Sequence, residues 1–101
     1  MSDPKINVAV LGASGYTGAE MLRLLAVHPQ MVIKAATANS LAGRRLDDVF
    51  PHLSGVFDHQ LVTLEDVDFS SIDIAFSCLP HGTSQDAVAV LPEHVRVVDL
   101  S

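Results

Sequence analysis

Short apolar runs that alternate with longer helix-like segments predict an α/β chain built on a doubly wound parallel sheet. Those runs are rich in Val and Ile and mostly continuous, the pattern of parallel strands buried on both faces. The first run also passes through Gly12-Ala13-Ser14-Gly15-Tyr16-Thr17-Gly18 into a helix-like segment, a strand–turn–helix arrangement suited to holding phosphate. The right-handed crossover rule then makes 3-2-1-4-5 the economical strand order.

Each element has its own signal. Ile6–Leu11 reads as a continuous strand. The helix from Ala19 to Val27 gets an apolar face from Met21, Leu22, Leu24 and Leu25, with Gly18 one turn earlier. His28-Pro29 stops it, because the residue before proline is pushed out of the α region. Val32–Thr37 is the second strand, and Asn39 to Gly55 a punctuated loop with one helical turn at Arg45–Phe50. Leu61–Thr63 is a weak third strand and Ile72–Ser77 a clear fourth. A short helix covers Ser84–Leu91, with Thr83 or Ser84 as its N-cap, and Val95–Asp99 forms the fifth strand.

Composition narrows the class. At 101 residues the chain is one domain or part of one, and 49% hydrophobic residues with a positive mean hydropathy exclude disorder. No apolar run approaches the roughly 18 residues of a membrane span, and Met1–Lys5 has no signal-peptide pattern. The single cysteine, Cys78, excludes an internal disulfide and makes the cytoplasm the expected location. A net charge of −6 argues against a nucleic-acid partner. Because Leu100-Ser101 follows directly on a strand, the chain reads as truncated, with its last strand lacking a covering partner. Such a piece is expected to be marginally stable or to associate.

In the glycine segment, Gly12 makes the tight turn, Gly15 lets a pyrophosphate approach the backbone, and Gly18 lets the helix pack on the sheet. Ser14, Tyr16 and Thr17 add hydroxyl donors. The alternative is a strand–helix turn with no ligand. Cofactor choice is read at the end of the second strand, where an NAD site usually carries an acid on the ribose 2′-hydroxyl. Here Thr37 to Arg45 contains no acid, and its hydroxyl and amide donors with Arg44 and Arg45 suit the 2′-phosphate of NADP. Solvated loop arginines are the competing reading.

Ser77–Ser84 lies at the carboxyl end of a central strand, where doubly wound sheets bind ligands. Pro80 and Gly82 set a sharp path there that suits the nicotinamide ribose. His81 reads as a donor to cofactor or substrate, or as a turn residue with a positioning role. Cys78 reads as a small apolar residue rather than a nucleophile. His28, His52, His59 and His94 have no metal-ligand spacing, and Asp47-Asp48 and Glu65-Asp66 read as solvated charges. Asp99 to Ser101 closes the fifth strand on the cofactor side.

Four stretches together resemble one family: GASGYTG at Gly12–Gly18, SLAGRRLDDVFPHLSG at Ser40–Gly55, LPHGTS at Leu79–Ser84 and VVDLS at Val97–Ser101. The chain is similar to the N-acetyl-γ-glutamyl-phosphate reductases of arginine biosynthesis over essentially its whole length. The resemblance implies a Rossmann-type NADP-binding domain spanning residues 1–101, incomplete and lacking the catalytic domain. It implies NADPH-dependent reduction of an acyl phosphate to an aldehyde through a cysteine thioester, with the catalytic cysteine and a histidine downstream of this chain. No catalytic residue and no metal ligand is then expected in these 101 residues. By the same resemblance, Gly12, Ser14, Gly15, Tyr16, Thr17 and Gly18 go to the pyrophosphate, and Thr37, Asn39 and Ser40 to the adenosine end. Leu79, Pro80, His81 and Gly82 go to the nicotinamide side. Cys78 stands where the family often has alanine. The full-length protein is expected to act on a small-molecule acyl phosphate as a homo-oligomer.

Two other readings remain open. One is a stand-alone nucleotide-binding or redox-sensing module ending at Ser101. The other is a saccharopine-dehydrogenase-like reductase, which shares the glycine loop but has different downstream chemistry.

Overall fold

A computed structural model of the chain describes residues 5–13, 15–38, 41–49, 51 and 60–100. Its elements run β1 (Ile6–Leu11), α1 (Tyr16–Ala26), β2 (Met31–Ala36), α2 (Leu46–Val49), 3-10 turns at Leu64–Asp66 and Phe69–Ser71, β3 (Ile74–Ser77), α3 (His81–Ala89) and β4 (Arg96–Asp99). The strands form one parallel sheet in the order β2-β1-β3-β4. The predicted doubly wound architecture is present.

The expected third strand is not a strand. Val62 sits on the outer edge of β2, where the order 3-2-1 places it, but makes only an isolated parallel bridge to Thr37. Ala38 N–H donates to Val62 O (2.9 Å), and Val62 N–H to Ala36 O (3.1 Å). Pairing stops there because the chain coils into the 3-10 turn at Leu64. The fourth predicted strand also starts two residues late. Asp73 is held at the sheet's entrance instead, its carboxylate accepting from Asn7 N–H and its own N–H donating to Asn7 O.

The β1–β2 register slips between Val8 and Ala9: Val8 pairs Ile33, whereas Ala9 pairs Ala35. The extra residue, Lys34, is exposed. This bulge lets Ile33 and Ala36 share one face of the sheet, which strict alternation would forbid. On that face Val8, Val10 and Ala36 pack against Leu22 and Leu25 of α1. Fully burying a leucine such as Leu22 stabilises by about 1.5–3 kcal/mol. On the other face Ala9, Leu11, Ala75, Ile72 and Val95 are covered by Leu64 and Phe69 of the 3-10 turns and Leu91 just past α3. Burial on both faces therefore holds for β1. It fails for β4, where Arg96, Val98 and Asp99 are exposed.

Helix α1 begins three residues before its predicted start, and Leu24 points to solvent rather than joining the apolar face. Helix α3 departs further from expectation. It starts at His81, directly after Pro80, which adopts the extended geometry of an N-cap. Ser84 N–H donates to Pro80 O (2.8 Å) and closes the first turn, so neither Thr83 nor Ser84 is the cap.

The chain leaves β1 through α1 to β2 on one side and returns as β3 on the other. The carboxyl ends of β1 and β3 therefore diverge into the turns at Gly12 and Cys78. That crevice is the topological switch point, where open α/β sheets bind ligands.

Candidate functional site

Steric exclusion shapes the glycine turn. Gly12 has φ +82°, a conformation that L side chains rarely adopt. A Cβ there would lie 2.9 Å from Leu79 Cδ2 and 3.2 Å from the Cys78 carbonyl, so the two turns of the crevice touch at this point. A Cβ on Gly18 would collide with the Gly12 carbonyl oxygen and lie 2.7 Å from Ala13 Cα, so only glycine lets α1 pack this close. Gly15 is different: nothing stands nearer than 4.0 Å to its Cβ position. It is the N-cap of α1, exposed and without a side-chain cap, and the first turn contains no acid. The opening N–H groups of a helix have no internal acceptor and carry the positive end of its dipole. Tyr16 and Thr17 are exposed beside them. Open space at Gly15, unopposed amide donors and hydroxyl-bearing neighbours suit a diphosphate.

Thr37 joins the end of β2 to this turn. Its hydroxyl accepts from Gly12 N–H (3.1 Å), and its carbonyl accepts from Ala13 N–H (2.8 Å). The side chain is buried, so its bond to the turn is shielded from water.

A groove of about 300 Å³ runs from Thr37 across Leu64 and Leu79 to Thr83, Ala87 and Val90 of α3, with Glu65 and Asp86 on it. It brings Thr37 and Leu79 together, although the resemblance assigns them to opposite ends of the cofactor. Pro80 and Gly82 are exposed beside it. Arg44 and Arg45 do not line it: they lie before α2, where Leu61 N–H donates to Arg44 O (2.8 Å) and Arg45 bridges Gln60. Ser14, Asn39 and Ser40 fall outside the described residues, and His81 is described only in its backbone.

Cys78 follows β3 directly, its N–H donating to Leu11 O (2.8 Å), and packs against the α1-side core. Burial pushes its thiol pKa up, away from the thiolate a nucleophile needs. Among the described residues no cluster of His, Cys, Asp and Glu could hold a metal ion. No described helix is long and apolar enough to cross a membrane.

Sequence reasoning missed a buried polar chain beside the crevice. The hydroxyls of Ser77, ending β3, and Ser84, in α3, lie 2.6 Å apart and are fully buried. Ser84 donates to the carboxylate of Asp99 at the end of β4 (3.0 Å). Three successive elements meet there through side chains whose pairing the tertiary packing sets, so no local pattern announces it. The groove residues Asp86 and Ala87 also lacked a signal.

Comparison with known proteins agrees with this geometry. The chain matches the family described as semialdehyde dehydrogenase, NAD binding domain, over residues 7–101. It is 53% identical over 95 residues to the N-acetyl-gamma-glutamyl-phosphate reductase of Rhodobacter capsulatus, covering 94% of this chain and 28% of that protein. It is 52% identical over 100 residues to the chloroplastic "Probable N-acetyl-gamma-glutamyl-phosphate reductase" of Oryza sativa, covering 99% of this chain and 24% of the relative. Among solved structures, aspartate semialdehyde dehydrogenase with NADP from Candida albicans superposes with a TM-score of 0.79 at 26% identity. That match covers 94% of this chain and 29% of the other. The chain thus spans about a quarter of the length of the curated relatives it matches. Fold, glycine turn and sequence agree that the chain belongs to the family of semialdehyde dehydrogenase NAD-binding domains.

Proposed function

We propose that this chain is the NADP-binding portion of a reductase that converts N-acetyl-γ-glutamyl phosphate to the corresponding semialdehyde with release of phosphate. The observation that carries this reading is identity above half, over nearly all of the chain, to proteins named for that activity. The glycine turn supports it: the opening N–H groups of α1 hold the diphosphate over the open face of Gly15, while Tyr16 and Thr17 flank it. Thr37 fixes the turn from behind. The groove between Thr37 and α3 takes the adenosine end, to which the resemblance also assigns Asn39 and Ser40. Leu79 to Gly82 border the path toward the nicotinamide. When bound, NADPH supplies the hydride that reduces the acyl group.

Catalysis falls to a cysteine and a histidine outside these 101 residues. The half-buried, protonated Cys78 has no part in it. The full-length protein works as a homo-oligomer in the cytoplasm on a small acyl phosphate. NADP is favoured over NAD because the segment after β2 supplies Arg44 and Arg45 and no acid.

Titration of the protein with NADPH and NADH tests the cofactor reading, and NADPH is expected to bind tighter. Replacing Arg44 and Arg45 with alanine should weaken NADPH binding by about tenfold while sparing NADH, the effect of losing a charge-assisted phosphate contact. Equal losses would remove both arginines from the 2′-phosphate. For the activity, incubating full-length protein with the acyl phosphate should acylate a cysteine other than Cys78. Acylation of Cys78 would overturn the assignment.

A further inference from the structure

We infer that Ser84, through its buried bond to Ser77 and its bond to Asp99, is a positioning residue that sets the cofactor turn 78–83 against the glycine turn. The inference rests on the cofactor reading above and adds the device that holds the second wall of the site.

The bonds have a direction. Ser84 has one hydroxyl proton, and it goes to Asp99 Oδ1 (3.0 Å). The 2.6 Å contact with Ser77 must therefore be a bond that Ser77 donates and Ser84 accepts. Protons run one way, Ser77 to Ser84 to Asp99, toward a carboxylate that polarises the whole chain. Ser77 and Ser84 are both fully buried, so water cannot replace either partner.

The placement gives the chain its consequence. Ser77 and Ser84 are the two ends of the segment carrying Cys78, Leu79, Pro80, His81, Gly82 and Thr83. Their hydroxyl–hydroxyl bond closes this segment into a loop at its base, while Ser84 N–H closes the first turn of α3 on Pro80 O. Leu79 in that loop is the residue that a Cβ on Gly12 would strike, and Leu79 and Thr83 both line the groove. A second strut, Leu100 N–H to Ser77 O (2.9 Å), ties the same corner to the end of β4. Removing the Ser84 hydroxyl leaves Ser77 without its acceptor and Asp99 without this donor, and lets the loop shift relative to Gly12.

The test uses the full-length protein, with NADPH affinity measured by titration and separate KM values for NADPH and the acyl phosphate. Ser84→Ala should raise the NADPH dissociation constant and KM by about tenfold, the scale of one lost charge-assisted bond. The KM for the acyl phosphate should stay unchanged. Asp99 is exposed whereas Ser84 is fully buried, so variants at Asp99 carry the test should Ser84→Ala fail to fold. Asp99→Ala should raise the NADPH KM in the same direction, and Asp99→Asn, which still accepts from Ser84, should restore it. A lower melting temperature with unchanged NADPH affinity would reduce the chain to a structural brace and overturn the inference. Failure of Asp99→Asn to differ from Asp99→Ala would do the same. If the unaltered protein does not bind NADPH, the cofactor reading itself falls and takes the inference with it.

Discussion

The two walls of the crevice are held by different physics. On the β1–α1–β2 side, absent side chains set the geometry: Gly12 adopts φ +82°, and Gly18 lets α1 close on the Gly12 carbonyl. On the β3–α3–β4 side, side chains that reach across elements set it, with Ser77, Ser84 and Asp99 sharing a directed chain of bonds. Steric exclusion leaves a local mark in sequence because only one residue type satisfies it. A hydrogen-bonded clasp leaves none, because serine and aspartate occur everywhere and their partners are set by the tertiary fold.

Substitutions on the glycine wall have the largest consequence. Gly18→Ala pits two effects against each other: alanine gains about 1 kcal/mol in helix propensity, and overpacking typically costs about 1–3 kcal/mol. The added methyl would meet backbone at Gly12 and Ala13 rather than a side chain that could rotate away. A net loss of stability is therefore expected in urea denaturation, together with weaker NADPH binding. A more stable variant would mean that α1 can back away from the turn.

Gly15→Ala separates space kept for a ligand from space needed by the fold. The residue has φ −92° and open surroundings, so alanine fits without strain, and as a poorer N-cap it should cost no more than about 1 kcal/mol of stability. NADPH affinity should nevertheless fall, because the methyl enters the diphosphate's approach. Unchanged affinity would place the diphosphate elsewhere.

Cys78 should show the smallest effect, read through pH. Burial raises its thiol pKa, so thiolate forms only above the ordinary cysteine range. Alkylation near neutral pH should be slower than for a free cysteine and should accelerate only under alkaline conditions. Fast alkylation at neutral pH would show an activated thiol on the hydroxyl wall.

The same contrast explains what could be read in advance. The sheet, its parallel sense and the switch point follow from Ile6–Leu11, the glycine turn and the break at His28-Pro29, all local signals. The third strand was placed on the correct edge but shrank to one bridge, because nothing local in Leu61–Thr63 shows that the chain coils at Leu64. The bulge at Lys34 was invisible, since it exists to reconcile β2 with two packed faces at once. The start of α3 was misjudged because Ser84 resembles a cap by residue type. Its hydroxyl has a stronger use, inward to Ser77 and Asp99. Pro80 supplies the cap geometry instead.

The central claim is that a dinucleotide lies with its diphosphate on Gly15 and the first turn of α1. Amide hydrogen exchange, followed by mass spectrometry with and without NADPH, tests it most directly. The account predicts slowed exchange in residues 12–18 and 78–83, the two walls of the crevice. Binding with protection confined to other segments, or no binding at all, would contradict it.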